Sequence, residues 1–134
     1  DKYRPINVFR IDYMSNVYVA EDWSIKKLED LENPIKDFSI SKYINEHIYL
    51  FGGEVVDAEL ELSSESIILQ IKDWFGENAN IKKVDDKIHA YVRCDDMALY
   101  YWIMQYSDCV KVVTPHSLVD KVKSGLKSAL EKYE

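Results

Sequence analysis

Cysteine is nearly absent from this sequence, since only Cys94 and Cys109 occur among 134 residues. Two cysteines cannot form the disulfide framework of a small secreted domain, so a reducing cytoplasm is the expected environment. Apolar runs without a charge are also short, for example Ile48-Tyr49-Leu50-Phe51. None approaches the ~20 residues that cross a bilayer, and no charged-then-apolar leader begins the chain. No membrane association is expected.

Glycine and basic residues are scarce as well. The four glycines form no glycine-rich phosphate loop, and 17 basic residues stand against 24 acidic ones, a net charge of −7. A surface of that sign repels phosphate at long range, so nucleic-acid binding would need a local basic pocket or another part of a longer protein. The three histidines have neither the spacing nor the cysteine neighbours of a zinc site. We therefore expect no metal and no cofactor.

What the sequence does contain, from residue 54 onward, is a regular alternation of strand and helix patterns. Period-two runs predict strands over residues 54–62, 80–84, 87–93 and 110–114. Helical spacing predicts helices after Ser63-Ser64, after Asp95 or Asp96, and after Pro115, with Gly76 ending the first of them. Right-handed crossovers turn this order into an α+β fold. It is a ferredoxin-like βαββαβ sandwich with strand order 4-1-3-2 and an added C-terminal helix.

This arrangement predicts which side chains face the helices and which face outward. The helix-facing residues are Val56, Ala58, Leu60, Leu62, Ile88, Ala90 and Val92, and the open face carries Glu59, Glu61, His89, Tyr91, Arg93 and Lys111. Cys94 and Cys109 end up two strand spacings apart, roughly 10 Å, which is too far for a disulfide. A second apolar stripe on the middle helix, Met97, Tyr100, Tyr101 and Met104, should meet the last helix, the connector or a second subunit, and the last helix is favoured.

The first 53 residues show weaker patterns. Ile6 to Asp22 reads as two strands around a turn at Met14-Ser15-Asn16, and residues 23–53 read as a connector with one short helix. That helix would begin at the capping residue Ser39 and stop at Gly52-Gly53. Two strands alone are marginal in water. Because the chain also begins at Asp1 without a methionine, we expect it to be a piece of a longer protein.

Several stretches resemble the WYL-domain family of bacterial transcriptional regulators. Phe9-Arg10-Ile11-Asp12 is similar to a Phe-Arg-Leu-Asp tract near the end of the WYL domain, which is an Sm-like small barrel. Phe38-Ser39-Ile40 and Phe51-Gly52-Gly53-Glu54 resemble the linker after that barrel. Trp102-Ile103 and the run from Val110 to Pro115 are similar to the tail of the WYL C-terminal extension domain. The Trp-Tyr-Leu tripeptide that names the family is absent here.

The resemblance implies a domain organisation and a function. Residues 1–22 would be the last hairpin of a truncated WYL barrel, 23–53 the linker, and 54–134 the ferredoxin-like extension. Such proteins are dimeric transcription factors whose upstream winged helix-turn-helix binds DNA, while the later domains sense an effector, with nucleic acid or nucleotides the usual suggestion. This implies a cytoplasmic, non-catalytic sensor that forms homodimers. Tyr13-Met14 replaces the family's arginine and isoleucine, and Glu59 and Glu61 stand where a basic residue is common.

Four residues are candidates for effector binding. Arg10 matches the family arginine that points into the effector pocket, although an ion pair with Asp12 on the same strand face would explain it equally well. His89, Tyr91 and Arg93 form an alternating triplet that could stack on and pair with a nucleotide. Pairing of that triplet with Glu59 and Glu61, on an ordinary solvated or interface surface, is the favoured alternative.

Two further patterns point away from other functions. Glu59 and Glu61 alternate on one exposed strand and lack the two different environments that acid–base catalysis needs, so we predict no enzyme. Lys121, Lys123 and Lys127 are interleaved with acidic residues, which favours a solvated helix over a DNA-contacting face.

The alternative function is a ferredoxin-like regulatory subunit that binds small molecules for a metabolic enzyme. An upstream winged helix in the full-length gene product would separate the two.

Overall fold

The computed structural model describes residues 6–31, 38–76 and 79–134, and within them the helices and strands all follow residue 39. The strands are β1 Val55–Leu62, β2 Asn80–Val84, β3 Lys87–Asp95 and β4 Val110–Thr114. The α-helices are α1 Ile40–Glu46, α2 Ile67–Phe75, α3 Asp96–Gln105 and α4 His116–Leu130. The chain is thus an α+β protein, as the sequence predicts. None of the helices described is long and apolar enough to cross a membrane.

The four strands form one antiparallel sheet in the order β2-β3-β1-β4. Read from the β4 edge, this is 4-1-3-2. The central pair is fully in register from Val55 opposite Asp95 to Leu62 opposite Ile88. β2 pairs only with Lys87 to Tyr91, so β3 continues for four residues beyond the last pair that it makes with β2.

One face of the sheet carries the hydrophobic core. Ala58, Leu60 and Leu62 are buried along β1, as are Ala90, Val92 and Cys94 along β3, because alternate strand residues share a face. The helices cover this face with a common set of buried side chains: Ile67, Ile71, Phe75, Leu99, Trp102, Ile103, Leu118 and Val122. The predicted division of β1 and β3 into a helix-facing and an outer side is therefore confirmed.

Helix α3 is apolar on nearly all sides, and two elements cover its second stripe. Tyr100 packs on α4 at Gly125, where an added Cβ would overlap the tyrosine hydroxyl. Tyr101 lies against Phe51 of the connector, with ring centroids 5.7 Å apart. The last helix and the connector thus share the stripe, although Met97 and Tyr101 keep exposed surface. On α4 itself Leu118 and Val122 are buried, whereas Leu126 and Leu130 in its second half are exposed, as is Tyr133 beyond its end.

Helix boundaries follow local hydrogen bonding. Ser39 caps α1 by accepting from the N–H of Lys42, and Asp95 caps α3 by accepting from Met97 and Ala98, both as predicted. The cap predicted for α2 at Ser63-Ser64 is wrong. The Ser64 hydroxyl instead bonds to Ser66, which closes a local turn and delays the helix to Ile67. Gly76 ends α2 with a positive φ of 77°.

The connector reaches the sandwich through residues 47–53. Helix α1 ends at Glu46 and not at Gly52-Gly53 as predicted, because the chain turns at His47 into a short 3-10 turn over Ile48–Leu50. Ile48 is buried in the core, and Tyr49 stacks on Trp74 at 4.9 Å. The N–H of Gly53 donates to the buried carboxylate of Asp95.

The hairpin predicted for Ile6 to Asp22 is not formed in this chain. These residues contain one 3-10 turn, Ile11–Tyr13, and no strand. Two isolated strands bury too little surface to hold together, and the sheet of residues 55–114 lends them no partner. Large apolar side chains from this segment consequently remain in solvent, among them Phe9, Tyr13, Val17, Tyr18 and Val19, as do Trp23 and Ile25 just after it.

Both cysteines are free thiols. Cys94 is completely buried under α1 and the connector, and desolvation raises the pKa of its thiol to about 12. Cys109 is half-buried at the start of β4, and desolvation followed by the neighbouring Asp108 raises its pKa as well. Neither thiol is therefore a ready nucleophile at neutral pH.

Candidate functional site

The outer face of the sheet carries two facing columns of charge. β3 presents Lys87, His89, Tyr91 and Arg93, while β1 presents Asp57, Glu59 and Glu61. The register sets Arg93 opposite Asp57, Tyr91 opposite Glu59 and His89 opposite Glu61. Directly opposite residues on antiparallel strands lie within reach of each other's side chains. The acidic side chains of β1 therefore pair with the basic side chains of β3, Glu61 with Lys87 and Asp57 with Arg93.

Glu59 holds the centre of this face. His89 donates from Nδ1 to Oε1 of Glu59 at 2.8 Å, and the Tyr91 hydroxyl donates to the same oxygen at 3.2 Å. Desolvation, followed by the hydrogen bond to Glu59, raises the pKa of Tyr91, so its phenol stays protonated at neutral pH. His89 is only 8% exposed, which corrects the expectation of an open face at this position.

Glu61, two residues farther along β1, also accepts a hydrogen bond from β3. Lys87 donates to its Oε2 at 2.9 Å, and the ammonium group of Lys111 lies 3.8 Å from Oε1. The hydrogen bond from Lys87 is the main cause that lowers the pKa of Glu61. Each of the two glutamates thus accepts a hydrogen bond from a side chain on β3.

Arg93 joins the sheet to the connector helix. Its Nε donates to Glu46 of α1 and its Nη1 to Asp57 of β1, both at 3.0 Å. These carboxylates raise the pKa of the guanidinium, Glu46 contributing most. The side chain remains 53% exposed, so Nη2 is the part of the fork without a protein partner among the residues described.

Arg10 lies in the exposed N-terminal segment. Its Nε donates to Asp12 at 3.0 Å, a second guanidinium nitrogen binds the other oxygen of that carboxylate, and the guanidinium carbon lies 4.5 Å from the Tyr13 ring centroid. The pair raises the pKa of Arg10 and lowers that of Asp12. This is the internal ion pair that the sequence offered as the alternative to effector binding.

The structure therefore brings three of the four candidates together. His89, Tyr91 and Arg93 share the outer sheet face, but every one of them has a carboxylate partner on β1 or α1. Arg10 is not joined to them, since its contacts in the described chain involve Asp12 and Tyr13 alone. No cluster of three or more histidine, cysteine or acidic side chains suited to a metal occurs in residues 6–31, 38–76 and 79–134.

Sequence reasoning missed a cavity of about 430 Å³ between α1, the end of α2 and β3. It adjoins Arg93 and is lined chiefly by residues of α1, a helix that the sequence placed in a linker. A smaller cavity of about 250 Å³ lies on the other side of Arg93, beside Asp57 and Tyr91. Only the polar stripe Ser41, Lys42 and Asn45 on α1 could have signalled the larger one.

No protein-family model matches the chain. A search of curated proteins finds no match either.

Proposed function

We propose that this chain is the effector-sensing and dimerisation part of a cytoplasmic bacterial transcriptional regulator of the WYL type. In this proposal residues 54–134 are the C-terminal extension with a ferredoxin-like fold, residues 23–53 are the linker, and residues 1–22 belong to the end of the WYL barrel. The part is non-catalytic and homodimeric, and DNA is bound by a winged helix-turn-helix upstream of residue 1.

The observation that carries the proposal is the sheet order β2-β3-β1-β4 following a connector helix. The stretches that resemble the family lie in the N-terminal segment, in the connector and from α3 through β4. Their order along the chain is the order that the proposal needs. The acidic residues bound by donors on the outer face favour a binding function over catalysis.

The exposed N-terminal segment gives a second line of support. A stretch with this many solvated aromatic and branched side chains favours an element that is covered in a larger assembly. Missing strands of a small barrel would supply that cover and would also supply hydrogen-bond partners with which residues 6–22 could form the predicted hairpin.

The test uses the full-length gene product. We expect it to contain an upstream winged helix-turn-helix, to be a dimer by sedimentation equilibrium, and to bind DNA from its own promoter region. A gene product without such a domain would overturn the proposal. The alternative, a regulatory subunit that binds small molecules for a metabolic enzyme, would then be favoured.

The contribution of Arg10 is tested by titrating the same protein with short single-stranded DNA and with nucleotides. Arg10→Ala should weaken binding by about tenfold, because a charge-assisted hydrogen bond to phosphate is removed. Asp12→Asn should strengthen binding, because it releases the guanidinium from its present partner. Lys26→Ala, in the same exposed segment, is the matched control. Unchanged binding in Arg10→Ala and Asp12→Asn would remove Arg10 from the site.

A further inference from the structure

The cavity beside α1 exists because two neighbouring strands differ in length. β2 stops pairing at Tyr91, whereas β3 continues to Asp95. Helix α1 packs alongside the extended end of β3, where a strand would otherwise continue the sheet. A helix cannot fill the space of a strand completely, so a cavity of about 430 Å³ remains. Pockets for small molecules start at about 300 Å³.

The cavity has an apolar floor and a polar rim. Phe75 and Val92, both buried, form the floor together with Ala79. The rim consists of Ser39, Ser41, Lys42, Asn45, Glu46 and Arg93. A ligand that fits would bury an apolar or aromatic body against the floor and present a polar group to α1 and Arg93.

Two rim side chains have no partner among the residues that the structure describes. The ammonium group of Lys42 and the side-chain amide of Asn45 form no hydrogen bond or ion pair with the part of the chain that the structure describes. Asn45 is half-buried and lies against Gly76, where an added Cβ would approach its amide nitrogen to 3.2 Å. Together with Nη2 of Arg93, these groups offer hydrogen-bond donors along the rim of one cavity.

The charge of the lining selects the ligand. Among the charged residues described there, Arg93 is already paired with Glu46 and with Asp57, so Lys42 is the cation that has no partner in the part of the chain that the structure describes. Asp57, the other partner of Arg93, lines the smaller cavity beyond it. A carboxylate carries a single negative charge and can accept from the ammonium group of Lys42, from Nη2 of Arg93 and from an amide. A phosphate monoester carries about −1.5 to −2 near pH 7 and would be left partly uncompensated.

We propose that this cavity binds a small aromatic monocarboxylate. The carboxylate lies between Lys42 and Arg93, Asn45 donates to it, and the ring packs on Phe75 and Val92. This site is separate from Arg10 and goes beyond the proposed function by naming a second ligand class, and its regulatory meaning rests on that function. Because Arg93 also bonds to Glu46, the ligand would act where the connector helix meets the sheet.

The test is an NMR titration of the ¹⁵N-labelled chain with benzoate. We expect saturable shifts of the amides of Lys42, Val92 and Arg93, with a Kd on the order of 1 mM for a ligand of this size. Benzyl alcohol, which lacks the charge, and phenyl phosphate, which carries too much of it, should each bind several-fold more weakly. Absence of saturable shifts at these amides up to about 10 mM benzoate would overturn the proposal.

Variants separate the site from adventitious binding. Lys42→Gln should weaken benzoate binding by about tenfold, because it removes a charge-assisted contact while leaving an unpaired, exposed position otherwise intact. Ala79→Leu should abolish binding by filling the floor. The matched control is Lys123→Gln on α4, which should leave the Kd unchanged. Equal Kd values for the chain and Lys42→Gln, both giving native spectra, would contradict the assignment.

Failure here is distinguishable from failure of the proposed function. If benzoate does not bind but the full-length protein is a dimer that binds DNA, the cavity is not an effector site and the regulator assignment stands. If benzoate binds and no winged helix-turn-helix precedes the chain, the site stands and the regulatory-subunit alternative gains support.

Discussion

Asp95 accepts hydrogen bonds from the backbone N–H groups of Gly53, Met97 and Ala98, and its side chain is completely buried. Asp95→Ala removes the acceptor of three backbone N–H groups, of which that of Ala98 is buried, and should lower the free energy of unfolding by about 3 kcal/mol. Asp95→Ser retains a capping oxygen for α3 but is too short for Gly53, so we expect about half that loss. Urea denaturation at neutral pH measures both.

Asp96 is the matched control for Asp95. It is adjacent in sequence and also acidic, but its carboxylate pairs with Lys121 at the surface, at 2.8 Å. An exposed ion pair of this kind contributes less than about 1 kcal/mol, so Asp96→Ala should have a small effect. Equal losses from Asp95→Ala and Asp96→Ala would contradict a special role for the buried carboxylate.

Glu61 provides a pH-dependent prediction. Its pKa is lowered, chiefly by the hydrogen bond from Lys87. A carboxyl group with a lowered pKa in the folded state stabilises the protein at neutral pH, and this contribution is lost as the pH falls through that pKa. Lys87→Gln should therefore raise the pKa of Glu61, as followed by its side-chain carboxyl ¹³C shift. Lys83→Gln, whose lysine pairs with Asp86, should leave it unchanged.

At the scale of elements, the contact between α3 and α4 is closest at Gly125. Alanine there would gain up to about 1 kcal/mol of helix propensity, but its Cβ would overlap the Tyr100 hydroxyl and lie 3.1 Å from two ring carbons. Overpacking costs about 1–3 kcal/mol, so Gly125→Ala should be destabilising in thermal or urea unfolding.

Two further variants test the cause of that loss. Tyr100→Phe removes the hydroxyl, so Gly125→Ala should be less harmful in the Tyr100→Phe background than in the parent chain. Ser128→Ala, at an exposed α4 position, should be neutral or slightly stabilising. Identical effects of Gly125→Ala in both backgrounds would show that the hydroxyl is not responsible.

Elements whose bounds depend on neighbouring residues alone could be predicted from the sequence. The β2 bounds, the Ser39 cap of α1 and the Asp95 cap of α3 follow from side-chain pattern and capping chemistry alone. The start of α2 could not be predicted. Ser63, Ser64 and Ser66 are all residue types that cap helices, and only the hydrogen bonds in the structure show that the helix begins after Ser66. The cavity was out of reach for a related reason, since it depends on how far β2 extends beside β3.

Candidate site residues show the same limit. The alternation of side chains along a strand correctly placed His89, Tyr91 and Arg93 on one face. That alternation is a property of the strand itself and does not depend on how the strand packs. It could not show that Glu59 accepts from two of them, because His89 reaches Glu59 diagonally and not Glu61, its register partner. Arg93 bonding to Glu46 depends on the docking of α1, which no local pattern encodes.

At the scale of the whole molecule, residues 6–31 contribute little to the core. Their apolar side chains are exposed, so deletion of residues 1–31 should change the free energy of unfolding by less than about 1 kcal/mol, with cooperativity retained. The same deletion should reduce self-association in sedimentation velocity, because the solvated apolar surface is removed. Loss of the cooperative transition would show that the segment is part of the folded unit.

The buried carboxylate of Asp95 links two segments that are distant in sequence, the end of the connector and the start of α3. Its Oδ2 accepts from Gly53 at the end of the connector, and its Oδ1 accepts from Met97 and Ala98 in the first turn of α3. The position of the connector is therefore coupled to that of α3, which in turn packs on α4 at Gly125. A shift of the connector would have to be accommodated along this series of contacts.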